Sequence, residues 1–428
     1  MSGKRFLFVI GEGGGNVPPQ LGLARKLVLR GHEVRVLTEP CIAQDVHAIG
    51  ASYVSFTQAP HRNDRSRDSD FVRDFEAKTP IGALAAFRDR VIFGPARAFA
   101  ADTMAEIERW QPHVVAPDWL RTGAAVAAEA AGIPTALLVH GLNLLPEPGK
   151  PPPGFGFLPA KSALERARDR AFGRGYLFLF NRGLRALNRA RRTYGLHPLR
   201  HVLEHFERQA RFLCLYPQAF DFPAKRHPAN LRYVGPVLEQ PAWAEPWDPP
   251  WRDDSLPLVV VSFSTTFMEQ ERAIERCIEA FSSMDVRALI TVGPALDPAN
   301  FSATDDVAVV RSAPHDVVLP RAAAVVTHAG MGTVMRALAH GIPMVCMPMG
   351  RDQHDVAARV RWHEAGVDIG GNPSAATIKE SVDHVLREPG FRDGALRMRH
   401  AIDADLVADG AVAELEDVAR RGTTGTSD

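Results

Sequence analysis

The chain has 428 residues, 46% of them hydrophobic, enough for two domains that each bury a core. Fifty lysines and arginines balance fifty aspartates and glutamates, so no overall field favours nucleic acid. The four cysteines, Cys41, Cys214, Cys277 and Cys346, form no CxxC pair, which argues against a zinc site or a disulfide framework and fits a reduced, cytoplasmic setting. The apolar run 6–10 is too short for a signal sequence, and no window reaches the roughly 20 apolar residues of a membrane span, so no integral membrane contact is expected.

In chain order, residues 5–10 read as a buried strand. A helical pattern over 21–29 follows, and Gly31 stands where that helix should stop. Further strands are expected near 33–38, 53–56, 113–117 and 134–139. The near-continuous apolar runs at 114–115 and 137–139 suit parallel strands covered on both faces. Residues 146–160 are rich in proline and glycine and read as a loop, whereas 161–194 read as basic helix. The prolines and tryptophans of 236–257 mark an interdomain linker. Beyond it, strands are expected near 258–263, 288–292, 307–310, 324–327 and 344–347, with helices at 270–284, 332–340, 353–365 and 375–387. Alternating strand and helix predicts two Rossmann-like, doubly wound α/β domains, residues 1–235 and 258–420. The last helix is placed to pack back on the first domain, and 421–428 form a disordered tail.

The segment 326–360 carries the chemistry. A strand ends at Thr327, and His328, Ala329, Gly330, Met331, Gly332 and Thr333 form a tight turn into a helix. Glycines let backbone amides approach an anion, and a helix amino terminus favours negative charge. An imidazole and a hydroxyl beside those amides complete a diphosphate cradle. After the next strand, Asp352 and Gln353 supply acceptor and amide groups suited to sugar hydroxyls.

This segment resembles the donor signature of the family that includes UDP-glucuronosyltransferases, plant secondary-metabolite glycosyltransferases and bacterial macrolide and antibiotic glycosyltransferases. Ser312-Ala313-Pro314-His315 looks like the family's base-binding loop, and Val261-Ser262-Phe263-Ser264-Thr265-Thr266 resembles its phosphate-side turn. The resemblance implies a GT-B fold and a metal-independent, inverting transfer from a nucleoside diphosphate sugar to a small-molecule acceptor. No cofactor is expected beyond the UDP- or TDP-sugar co-substrate, and no metal. By position, His328 contacts the diphosphate, and Gly330, Met331, Gly332 and Thr333 form the turn. Thr265 and Thr266 lie beside the phosphates, Ala313 and His315 at the base, and Asp352 and Gln353 at the sugar.

Two residues depart from the pattern. Arg336 stands where the family has a glutamate on the ribose. Asn16, in Gly13-Gly14-Gly15-Asn16, replaces the histidine that deprotonates the acceptor, and asparagine is no base near neutral pH. The family's partner aspartate corresponds to Asp118. Three routes remain: Asp118 as base, His140 as base, or an acceptor that needs none. Competing readings are a nicotinamide loop at 11–15, which lacks the G-x-G-x-x-G spacing, and a metal at Asp352, His354 and Asp355, where acids at a helix start are common anyway. Phe87, Phe93, Phe99, Phe155, Phe157 and Phe178 suggest an apolar natural-product acceptor of polyketide or aromatic type. The alternatives are a lipid glycosyltransferase at a membrane surface and a catalytically impaired partner protein. A homodimer stays open.

Overall fold

The computed structural model describes residues 3–66, 68–73, 79–239, 248–251, 255–263, 270–294 and 296–424. In the amino-terminal half the strands are β1 (Arg5–Val9), β2 (Glu33–Thr38), β3 (Ser52–Ser55), β4 (Val114–Pro117), β5 (Ala136–Val139), β6 (Arg211–Cys214) and β7 (Leu231–Tyr233). They run parallel in the order β3-β2-β1-β4, continued through bridges from Val115 to Thr135 and Asp118 to Leu138 into β5-β6-β7. The carboxyl-terminal half has β8 (Leu258–Ser262), β9 (Arg287–Thr291), β10 (Val307–Val310), β11 (Ala322–Thr327), β12 (Met344–Cys346) and β13 (Gly366–Asp368), parallel in the order β10-β9-β8-β11-β12-β13.

Alternation along each strand builds a core on both faces of each sheet. In β1, Phe6 and Phe8 join one apolar cluster with Val34, Val36 and Leu138, while Leu7 and Val9 join another with Val115, Leu137 and Val139. In β8, Val259 and Val261 face a third cluster, and Val260 faces the second. β6, β7 and β13 escape sequence reading: β6 and β7 each carry an arginine, and β13 is only Gly-Val-Asp.

Local signals set the helices. Val17–Leu29 opens on Pro18 and Pro19 in its first turn, and Gly31 takes φ +83° just past its end. The basic segment forms Ala163–Asn181 and Leu184–Thr193. A capping box starts the first of these: Ser162 Oγ accepts from Glu165 N at 3.2 Å, and Glu165 Oε2 accepts from Ser162 N at 2.8 Å. At the end of the chain, Pro389–Ala408 turns through Asp409 (φ +44°) into Gly410–Thr424. That last helix buries Val412, Leu415 and Val418 in the amino-terminal core and pairs Asp417 with Arg211 at 2.9 Å. It corrects the expected tail at 421–424, where helix continues and Arg421 pairs with Asp417 at 2.8 Å. Residues 425–428 lie outside the described residues. In the linker, Val237 is buried and Trp251 Nε1 donates to Asp305 O at 2.9 Å.

Candidate active site

The carboxyl ends of the two sheets face each other across a cleft of about 1080 Å³, the place where open α/β sheets bind ligands. Asn16, Asp118 and His140 line it from one side. Ala313, His315, His328, Gly330, Met331, Gly332, Thr333, Asp352 and Gln353 line it from the other. The sequence thus names residues that the fold brings together in one cavity. Thr265 and Thr266 lie outside the described residues.

The turn after β11 is built under strain. β11 ends at Thr327, whose Oγ1 accepts from Ala329 N at 3.2 Å. Ala329 is fully buried and takes φ +65°, a left-handed conformation that costs a non-glycine residue roughly 1 kcal/mol or more. Gly330 then caps the helix Met331–Ala339 without any side-chain hydrogen bond, so the positive end of the helix meets the cleft. A Cβ on Gly330 would lie 2.4 Å from His328 Nε2, so only glycine lets the imidazole lie against the turn. Burial pushes the His328 pKa down to about 4, so the ring is neutral at pH 7, and its buried Nδ1 lacks a hydrogen-bond partner. A neutral imidazole has a single N–H, which serves either the Ser262 backbone or an anion in the cleft.

Arg336, one turn further on, donates to Gly332 O at 3.2 Å and to Glu239 O. Both contacts are to backbone carbonyls. The guanidinium thus presents donors only, where a carboxylate would present acceptors. Burial also pushes His315 down to about 3, with Arg336 adding to the effect.

Asp352 and Gln353 open the helix Gln353–Trp362. Asp352 Oδ2 accepts from Leu142 N, across the cleft, at 3.1 Å. Gln353 Oε1 accepts from Met349 N at 2.7 Å and Gly350 N at 3.1 Å, shaping the loop after β12. Asp355 accepts from Gly156 N at 2.8 Å and from Gly154 N. Both carboxylates therefore hold backbone amides of the other half. Among the described residues, no three His, Cys, Asp or Glu side chains gather as a metal site.

On the amino-terminal side, Asp118 and His140 follow the neighbouring strands β4 and β5, while Asn16 begins the helix after β1. Asn16 Nδ2 donates to Gly11 O at 2.7 Å and to Asp118 Oδ2 at 3.3 Å. Gln20 Nε2 donates to the same oxygen at 3.2 Å, and Leu120 N donates to Asp118 Oδ1 at 2.9 Å. His140 Nδ1 lies 3.3 Å from Asp118 Oδ2, within ion-pair reach but not aligned as a hydrogen bond. Burial alone would raise the Asp118 pKa. The His140 charge and contact, Arg121 and the Leu120 amide outweigh it and hold the carboxyl at about 2. The Asp118 carboxyl is thereby held in its charged form near neutral pH.

Sequence reasoning missed the frame around this side. Glu39, fully buried, accepts from Glu12 N at 2.9 Å and Arg62 N at 2.8 Å, tying the glycine turn to a loop that carries Arg62. Of the aromatic residues named from sequence, Phe87 and Phe155 line the cleft. Phe93 and Phe99 are core, and Phe178 points to solvent from the helix Ala163–Asn181. Phe157 packs behind Phe155 with ring centroids 5.5 Å apart.

Comparison with known proteins places the chain in a family. A family model described as Erythromycin biosynthesis protein CIII-like, C-terminal domain, matches residues 275–418. The chain is 32% identical to 4'-demethylrebeccamycin synthase of Lentzea aerocolonigenes over 95% of its own length and 98% of that protein. It is 25% identical to aclacinomycin-T 2-deoxy-L-fucose transferase of Streptomyces galilaeus, over 89% and 88%. Among solved structures it resembles CalG4, the calicheamicin glycosyltransferase, with TM-score 0.75 and 23% identity over 98% and 99% of the chains. It also resembles the glycosyltransferase VinC in complex with DTDP, with TM-score 0.70 and 20% identity over 98% and 100%. The fold is GT-B.

Proposed function

This chain belongs to the family of natural-product glycosyltransferases with an EryCIII-like carboxyl-terminal domain, and from that premise we propose that it inverts the anomeric centre of a UDP- or TDP-sugar as it moves the sugar to an apolar natural product, with His140 as general base. It works without a metal or further cofactor, as a cytoplasmic enzyme. The observation that carries this reading is the opposition, across one cleft, of the uncapped helix end beside His328 and the Asp118–His140 pair.

With Nδ1 turned to Asp118, His140 has Nε2 left for the acceptor. The acceptor oxygen or nitrogen attacks the anomeric carbon from the face opposite the diphosphate. Its bond to carbon forms as the bond from carbon to the diphosphate oxygen breaks, and its proton passes to His140 Nε2. Asp118 stabilises the imidazolium that results. Charge that develops on the departing diphosphate meets the amides of the helix Met331–Ala339 and the N–H of His328. Asn16 takes no proton; its amide donates to Asp118 and keeps the carboxylate in place. The apolar residues on the acceptor side, among them Phe87, Trp119, Leu120, Leu142 and Leu144, support an apolar acceptor.

A thermal-shift screen of purified protein against UDP, TDP and their sugars tests the donor site. Stabilisation is expected for at least one nucleotide, growing as RT ln(1 + [L]/Kd). Transfer should persist in EDTA, and NMR of the product should show the anomeric configuration opposite to the donor's. Absence of any nucleotide-dependent shift, or retention of configuration, would overturn the proposal.

A further inference from the structure

The loop 153–157 crosses from the amino-terminal half and is gripped by the donor half. Asp355, 5% exposed, takes the amides of Gly154 and Gly156 on its carboxylate. Both glycines have positive φ, +91° and +62°. A Cβ at Gly156 would lie 3.1 Å from His354 O and 3.2 Å from His354 Cβ, so the loop approaches the helix start as closely as a bare backbone allows. The residue between the two held amides is Phe155.

Phe155 therefore projects from a backbone fixed on both sides. Its ring stacks on Phe157 at 5.5 Å and 16°, and the Arg168 guanidinium lies 3.9 Å from the Phe157 ring centre on the basic helix. Phe172, from the same helix, meets Phe155 edge-on at 4.8 Å and 89°. Phe155 and Phe172 both line the cleft and are 41% and 43% exposed. They form a corner of one ring face and one ring edge, held from behind and open in front. Aromatic rings favour offset-stacked and edge-to-face partners at centroid spacings of about 4.5–7 Å. A third flat ring completes such a corner, and an aliphatic, puckered skeleton does not.

We infer that Asp355 is a positioning residue that sets Phe155 and Phe172 as an aromatic wall of the acceptor site, and that the acceptor presents a planar aromatic face to them. This rests on the reading that the amino-terminal side of the cleft holds the acceptor, and it adds the acceptor's chemical class. It also makes the donor half contribute to acceptor recognition: Asp355 lies three residues from Asp352 on the helix that opens at Gln353.

The test uses the full chain and alizarin, a flat three-ring diol, as the probe, with Kd measured by calorimetry beside Kd for TDP and UDP. Wild-type protein should bind alizarin saturably. Phe155→Ala and Phe172→Ala should each raise the alizarin Kd about tenfold, and Phe155→Tyr should restore it to within about threefold of wild type. Asp355→Asn should weaken alizarin by several-fold while nucleotide affinity stays within twofold, a split that general loss of structure would not produce. Gly156→Ala breaks the same clasp from the loop side, so it replaces Asp355→Asn should that variant fold poorly. No alizarin binding by the wild type, or a Kd unmoved in both alanine variants, overturns the inference. Loss of nucleotide binding by the wild type would instead sink the proposed function, because the donor turn and the aromatic corner are read out by separate ligands.

Discussion

Replacing His140 by glutamine tests the catalytic assignment most directly. Glutamine keeps a polar side chain at the end of β5 but cannot take a proton near neutral pH. General base catalysis contributes about 10²–10⁴-fold, or roughly 3–5 kcal/mol of barrier. His140→Gln should lower kcat by that factor, while the thermal shift with UDP or TDP stays within error, because His140 is on the acceptor side of the cleft. Asp118→Asn should also cost activity, since the neutral amide does not stabilise the imidazolium. The Asp118 carboxyl at about 2, against 3.8 when unfolded, corresponds to roughly 2 kcal/mol in favour of the charged form. Because the folded value is the lower one, this stabilisation is fully present above about pH 4 and disappears as pH falls through about 2. Asp118→Asn should therefore destabilise the protein at pH 7, with the deficit against wild type shrinking below pH 4 in thermal melts. The two residues act as a unit, so the double variant should be no slower than the worse single one. A His140→Gln enzyme that retains more than a tenth of wild-type kcat, or a double variant with fully additive losses, would refute the dyad.

At the donor turn, Gly330→Ala drives a Cβ to 2.4 Å from His328 Nε2; calorimetry should show at least tenfold weaker UDP or TDP binding, with the fold intact by circular dichroism. Ala329→Val puts a β-branched residue at φ +65° inside the core, and the melting temperature should fall by several degrees along with nucleotide affinity. Between the halves, Arg359 pairs with Asp221 Oδ1 at 2.7 Å in a buried site where Lys150 also reaches Asp221 Oδ2 at 2.7 Å. Arg359→Leu breaks one partner of that buried network and should cost about 3–5 kcal/mol, seen as a lower unfolding midpoint in urea.

The donor half is the more legible because its chemistry is local. His328 and Gly330 lie in the turn after β11, with Gly332 and Thr333 in the first turn of the helix Met331–Ala339, and the rules for glycine, helix ends and anions apply within six residues. The acceptor half is assembled from a distance. Asp118 and His140 each follow a strand, but only the pairing of β4 with β5 makes them neighbours. The bond from Gly154 to Asp355 joins residues 201 apart, and no sequence pattern announces it. The strands β6, β7 and β13 fail for a related reason: Arg-Phe-Leu-Cys, Leu-Arg-Tyr and Gly-Val-Asp carry no continuous apolar run, and pairing with the neighbouring strand supplies what local propensity does not. Aromatic composition misleads in the same way: Phe93 and Phe155 look alike in sequence, and burial alone makes one core and the other wall.

Asn16 means one thing in sequence and another in the fold. In sequence it is a lost base. In the structure its amide, with those of Gln20 and Leu120, surrounds a carboxylate that is ionised and 1% exposed. Three donors aimed at a buried anion are wasted on a group with no task, because a neutral residue there would spare the desolvation cost. The arrangement makes sense once Asp118 serves the imidazole beside it. On the proposed mechanism the base stands at the end of β5 and not on the helix after β1, and the aspartate lies between the two positions.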